Sequence, residues 1–256
     1  MAYLHTANII SDFPPSHHHH TSAGPFVQHQ ITPYTNNGGT ILGITGEDFV
    51  VLAGDTRHSE GYSINSRTEK KVHRLGKESS LVLATVGFGA DALDVVETMK
   101  RAVEDYKFHH NKEMSPPAAA QLLMTILYSN RFFPKYAYCI LVGIHAGKGV
   151  LYSYDVVGSY SKSGERRAAA GAASDLIVPF LDNQVELKNQ YVPYAWEEEI
   201  PVQPLPMEKV RRLVKDAFTS ATERHIQVGD GLQIITVAAS GVGWGVSEEM
   251  YELKKD

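Results

Sequence analysis

Four apolar runs set the strongest limit on what this chain can fold into. Phe49-Val50-Val51-Leu52-Ala53, Leu81-Val82-Leu83-Ala84-Thr85-Val86, Cys139-Ile140-Leu141-Val142 and Leu232-Gln233-Ile234-Ile235-Thr236-Val237 carry few polar side chains. Successive side chains of a strand point to opposite faces, so a strand with one wet face alternates. A run without alternation needs cover on both faces.

Helical stripes supply part of that cover. Ala92, Val95, Val96, Met99, Val103 and Tyr106 recur at helical spacing, with Glu97 four residues before Arg101 on the wet side. Ser115-Pro116 reads as the start of a second helix, whose stripe is Leu122, Leu123, Ile126 and Leu127. Ser174 reads as the cap of a third helix reaching Leu181. Val210, Leu213, Val214, Ala217, Phe218 and Ala221 mark a fourth that starts near Pro206. One helix pair follows the early strands and the other flanks the late ones. The order predicts an α/β (α+β) chain with two sheets face to face and a helix pair outside each, a four-layer α/β/β/α sandwich.

At 256 residues and 43% hydrophobic, the chain can bury one large core or two modest ones. A net charge of −5 gives no electrostatic reason to expect nucleic acid as a partner. A single cysteine, Cys139, has no internal disulfide partner, which fits a reducing cytosolic or nuclear setting. No apolar run reaches the roughly 18 residues that span a bilayer, and no secretory pattern opens the chain. The expectation is a soluble intracellular protein with no membrane partner. Residues 1 to 29, with Asp12-Phe13-Pro14-Pro15-Ser16 and four histidines, have no periodic apolar face. They are expected to form a flexible leader ahead of one domain from 30 to 256.

The chemistry concentrates between Asn36 and Lys71. Thr40 to Thr45 and Phe49 to Ala53 meet across Gly46-Glu47-Asp48 as a hairpin, whose second strand delivers Asp55. Lys71 follows after a polar excursion. This stretch resembles the N-terminal part of proteasome beta subunits, which are N-terminal-nucleophile threonine hydrolases. In active members a threonine opens the first strand, sixteen residues before the Asp and thirty-two before the Lys. Counting back from Asp55 and from Lys71 lands both times on Gly39, which has no side chain to attack with.

The resemblance runs from about residue 30 onward. It is carried by Gly38-Gly39-Thr40-Ile41-Leu42, Gly54-Asp55-Thr56-Arg57, Leu127-Tyr128-Ser129-Asn130-Arg131-Phe132-Phe133-Pro134, Tyr152-Ser153-Tyr154-Asp155 with Gly158-Ser159-Tyr160, Leu181-Asp182-Asn183-Gln184 and Arg212-Leu213-Val214-Lys215-Asp216. These segments resemble most the beta-6 branch of the family, also called beta type-1. The fold implied is that of N-terminal-nucleophile hydrolases, which agrees with the sandwich read from the patterns.

Carried over residue by residue, Asp55 and Lys71 match the family's Asp and Lys. The serine of a Gly-Ser-Gly-Ser turn falls on Ala172, within Gly171-Ala172-Ala173-Ser174. The Asp and Ser of an Arg-Asp-x-x-Ser-Gly motif fall on His225 and Val228. The resemblance therefore implies a vestigial framework of Gly39, Asp55, Lys71, Ala172 and His225, with no catalytic residue, cofactor or metal. Asp55 and Lys71 would persist as a buried charge pair. The implied role is a non-catalytic structural subunit of the 20S core particle beta ring, serving ATP- and ubiquitin-dependent protein degradation in cytoplasm and nucleus. Implied partners are other beta subunits and alpha-ring subunits in a 28-chain hetero-oligomer, together with assembly factors. A neighbouring subunit would remove the leader near Gln30, leaving a short extension ahead of Gly39.

Other readings compete. Thr40 could be the nucleophile of an active threonine hydrolase, but a one-residue slip turns its side chain to the opposite face. Gly87-Phe88-Gly89-Ala90-Asp91-Ala92 satisfies a dinucleotide fingerprint, yet no strand ending in an acidic residue follows at the required distance. The alternative there is a tight glycine turn. His17 to His20 lack a Cys or carboxylate at ligand spacing. The stretch from Lys188 to Pro204, with Tyr191, Tyr194 and Trp196, reads as a long loop serving either local packing or a subunit contact. Cys139 reads as a small buried hydrophobe.

Overall fold

Thr40–Thr45 (β1) and Phe49–Asp55 (β2) pair antiparallel. The Gly46 amide donates to the Phe49 carbonyl at 2.8 Å, closing the expected hairpin. In chain order there follow β3 (His58–Glu60), β4 (Ser63–Ser66), β5 (Val72–Arg74), β6 (Val82–Gly87), α1 (Gly89–His110) and α2 (Pro116–Tyr128). Then come β7 (Ala137–His145), β8 (Lys148–Tyr154), β9 (Tyr160–Lys162), β10 (Arg167–Gly171), α3 (Ser174–Gln184), α4 (Met207–Thr222), β11 (Gly231–Ser240) and β12 (Gly243–Glu252). The computed structural model describes residues 33–162, 166–190, 203–240 and 243–255. The chain divides between Pro33 and Tyr34, and every element named lies in the unit from Tyr34 to Asp256. The expected leader, the His17 to His20 run and the Tyr191 to Trp196 aromatics lie outside the described residues.

The strands form two five-stranded sheets, ordered β10-β1-β2-β11-β12 and β5-β6-β7-β8-β9, with β3-β4 as a separate hairpin. Ile41, Val50, Leu52, Val82, Ile140, Val142, Ile235 and Val237 fill the space between the sheets. On the outer face of the first sheet, Leu42, Val51, Ala53 and Ile234 pack with Ile177 and Leu181 of α3 and Val214 and Phe218 of α4. On the outer face of the second, Leu83, Cys139 and Leu141 pack with Val95 and Met99 of α1 and Leu123 and Leu127 of α2. The four layers are those expected. The apolar runs fail to alternate because both pleats of each central strand meet a hydrophobic layer. Burial pushes the Cys139 thiol up to about 12, so it stays protonated and packs as a small apolar group.

Two local details differ from expectation, and the glycine turn ahead of α1 agrees with it. The third helix begins after Ala173 and runs to Gln184, and the Ser174 hydroxyl does not cap it but donates backward to the Gly171 carbonyl at 2.8 Å. Glu97 pairs with Lys100 at 2.7 Å, and Arg101 turns instead to the Thr98 hydroxyl at 3.2 Å. Positions three and four residues on are both within reach of a helical carboxylate, so either cation can take it. The glycine fingerprint opens α1, but β6 runs antiparallel to β7 with two helices between them, which is not a βαβ unit. Gly87 (φ +126°) is a close approach: a Cβ there would lie 2.5 Å from the Tyr136 carbonyl oxygen.

Leu52 sits at the centre of the intersheet layer with no exposure. Leu52→Ala is expected to cost about 2–5 kcal/mol, since two packed sheets cannot close the cavity. A denaturation midpoint read by pulse proteolysis checks this.

Candidate functional site

The end of β2 and the start of β5 face each other across the two sheets, and Lys71 bridges them. The Asp55 carboxylate is fully buried. One oxygen accepts from the Thr40 amide at 2.7 Å, and the other from the Arg57 and Gly229 amides at 3.3 and 3.4 Å. The Lys71 ammonium donates to the Asp55 and Arg57 carbonyls at 2.8 and 2.7 Å and lies 3.5 Å from the carboxylate. An ammonium has three N–H groups, and three acceptors surround this one. Burial is the largest influence on both partners. It pushes the Asp55 carboxyl up against the pull of Lys71 and the three amides, and pushes Lys71 down against the pull of Asp55.

Gly39 stands beside this pair. A Cβ built at position 39 would fall 2.1 Å from Lys71 Cε and 2.9 Å from Nζ. The space a side chain would need is filled by the lysine. Gly39 also holds φ +80°, a conformation that strains a β-branched residue. Its nitrogen is an amide that donates to the Gln227 carbonyl at 3.2 Å, and its carbonyl accepts from the Ala172 amide at 2.8 Å. Thr40 points elsewhere: its hydroxyl accepts from the Ala173 amide at 2.9 Å and is fully buried.

The expected framework is therefore brought together only in part. Gly39, Asp55 and Lys71 meet, and Ala172 joins through its backbone. His225 lies past the end of α4, where its amide donates to the Ala221 carbonyl at 2.9 Å and its Nδ1 accepts from the Gln227 amide at 3.3 Å. It borders a cleft of about 410 Å³ shared with Arg57, Ser59, Tyr62 and Arg224. Val228 is turned into the core under α3 and α4. Among the described residues no group of three metal-ligating side chains occurs.

Sequence reading missed a second buried ion pair. Arg57 Nε donates to Asp230 at 2.7 Å, Arg67 binds the same carboxylate, and Arg57 Nη1 donates to the Ile226 carbonyl at 2.8 Å. Burial pushes the Asp230 carboxyl up, but the two guanidiniums together outweigh it and hold the group below the usual range. This pair ties the loop after α4 to the exit of β2. Asp230 stands in the loop ahead of β11, and no local sequence pattern links it to Arg57 across 173 positions.

Two measurements follow from this geometry. Lys71→Met leaves the Asp55 carboxylate buried without a counter-charge and is expected to cost about 3–5 kcal/mol, read from the denaturation midpoint. Burial, with Lys100, holds His73 below its ordinary value of 6.5, and burial does the same for His225 against the pull of Asp55. A folded value below the unfolded one gives stability that is full above the unfolded value and is lost as pH falls from there through the folded value. Acidifying from neutrality to about pH 5 should lower the midpoint, and His73→Gln with His225→Gln should flatten that fall.

Comparison with known proteins adds independent observations. The family model described as Proteasome subunit matches residues 35–237. The chain is 51% identical over 233 residues to proteasome subunit beta type-6 of Saccharomyces cerevisiae, covering 90% of this chain and 93% of the relative. It is 42% identical over 240 residues to proteasome subunit beta type-1 of Danio rerio, covering 93% and 94%. Against proteasome subunit beta type-1 of Arabidopsis thaliana the identity is 43% over 226 residues, covering 88% and 96%. With the sandwich fold and the Asp55–Lys71 pair at the mouth of β1, these matches place the chain in the proteasome subunit family, among its beta-type members.

Proposed function

We propose that the chain is a non-catalytic structural subunit of the 20S core particle beta ring. The observation that carries this reading is at position 39, where a glycine stands and offers no side chain to act as a nucleophile beside Asp55 and Lys71. Ala172, His225 and Val228 supply no hydroxyl or carboxylate to complete a network that acts as a unit. Against the active alternative, Thr40 is buried and its hydroxyl is held by Ala173.

On this reading peptide hydrolysis belongs to other subunits, and this chain shapes the chamber wall and its interfaces in a 28-chain hetero-oligomer of beta and alpha subunits. Its place is cytoplasm and nucleus, its service ATP- and ubiquitin-dependent degradation, and assembly factors are further partners. Exposed aromatics support a partnered surface. Phe132 is 87% and Phe133 67% exposed, more than a solitary soluble domain gains from displaying together. Arg131 stacks on Phe132 at 4.2 Å, a pairing of the kind enriched at interface centres.

Two outcomes test this. Gly39→Thr should not be labelled by a threonine-directed covalent inhibitor. It should also lose about 1–3 kcal/mol of stability from backbone strain, before the clash with Lys71 is counted. In size exclusion with mass detection, the chain should run within a large particle and aggregate or disappear when its partners are withheld. A stable monomer of 28.2 kDa with no larger species would overturn the structural reading.

A further inference from the structure

The outward face of α2 is unlike those of α1 and α4. On α1 the exposed positions include Asp94, Arg101, Glu104 and Asp105, and on α4 they include Glu208, Lys209, Arg212 and Asp216. That is the charged wet side of an amphipathic helix. The exposed positions of α2 are Ala118, Gln121, Thr125 and Tyr128. No acidic or basic residue occurs from Ser115 to Asn130. A helix with an apolar inner stripe and an uncharged outer one is suited to cover on both sides.

The loop after α2 extends this face and adds one charge. Its Arg131 amide donates to the Tyr128 carbonyl at 3.1 Å and its Phe133 amide to the Asn130 carbonyl at 2.9 Å. Asn130 Nδ2 reaches back to the Ile126 carbonyl at 3.1 Å. The loop is thereby tied onto the helix, and an ordered frame lowers the entropy lost on association. Tyr128, Phe132 and Phe133 are all exposed on it. The Arg131 guanidinium carbon lies 5.0 Å from the Tyr128 ring centroid and 4.2 Å from that of Phe132. Lys135, four residues on, is paired with Asp94. Among the described residues no carboxylate pairs with Arg131.

A guanidinium among exposed rings is satisfied while water reaches it. Once the rings are covered, an unmatched charge there is strongly unfavourable. Whatever covers them must bring a counter-charge, and a carboxylate fits best, because a guanidinium takes it through two parallel N–H donors. Arginine and tyrosine in the middle of an apolar patch are also the residues that dominate association. We propose that the outer face of α2, closed by Arg131, Phe132 and Phe133, seats a segment of a neighbouring subunit that is apolar except for one Asp or Glu, whose carboxylate docks on Arg131. The uncharged face gives contact area, and the single ion pair fixes register and excludes wrong partners. The inference deepens the structural-subunit reading and rests on it.

The test uses the full chain in particles assembled in cells. Phenylglyoxal modifies accessible guanidiniums, and it should label Arg131 about tenfold more slowly in the intact particle than after dissociation, since a seated partner excludes water. This arm needs no variant. Arg131→Lys keeps the charge and supplies an amine, which carbodiimide joins to a carboxylate in direct contact. Mass spectrometry should find that amine coupled to an Asp or Glu of another subunit. Arg131→Glu, expressed beside the unaltered chain, should enter particles about a hundredfold less well, because it sets two carboxylates against each other. Equal labelling before and after dissociation overturns the proposal. So does coupling of the introduced amine only to acids of this chain, or to none in particles that form normally. Unimpaired entry of Arg131→Glu overturns it too, and leaves the structural-subunit reading standing. Absence of the unaltered chain from every large particle would overturn that reading, and the docking proposal with it.

Discussion

An ammonium that is 7% exposed between two sheets can persist only where its charge and all three of its N–H groups find partners. Lys71 finds them at the carboxylate and carbonyl of Asp55 and the carbonyl of Arg57. The lysine sits at the threshold of β5 in the second sheet, while its acceptors belong to the end of β2 in the first. The pair therefore fixes how the two sheets meet at this edge, and the Lys71 carbonyl, accepting from Thr85 at 3.0 Å, passes the constraint on to β6. Desolvation costs several kcal/mol per ion, so such a pair adds little net stability. Its importance lies in what happens when one partner is removed, because the other is then left buried and unmatched.

The same edge explains why position 39 has no side chain to spare room for. Lys71 lies along the path a Cβ would take, and the backbone at Gly39 turns through a left-handed conformation to carry the chain from Asn37 into β1. Asn37, the lysine and the loop around Gln227 close over one point from three directions. A site arranged this way is packed and bonded, with its amide, carbonyl and ammonium groups already paired within the chain.

Much of the architecture was legible because it depends on local periodicity. The hairpin at Gly46 to Asp48, the four helical stripes and the doubly covered strands all follow from patterns of two and three to four residues. The count from Asp55 and Lys71 back to Gly39 rested on the family resemblance, and the fold brings these three residues together at one edge. The readings that missed were those where two neighbours compete for one group. Ser174 had an acceptor behind it at Gly171 as well as amides ahead, and Glu97 had two cations in reach. Sequence spacing does not rank such rivals; the rotamers do.

By itself the sequence determined the layers, the order of the elements and the glycine at position 39, because apolar period and residue identity are properties of short segments. It could not determine what surrounds position 39. Asn37 meets Gly89 across 52 positions, and Arg57 meets Asp230 across 173. Buried hydrogen-bonding groups must be satisfied by whatever the fold brings near them, and that neighbourhood exists only after the two sheets have closed on each other. The tertiary structure alone decided that Lys71 lies against the glycine and that Asn37, two residues before it, is bonded to Ser59 and Gly87.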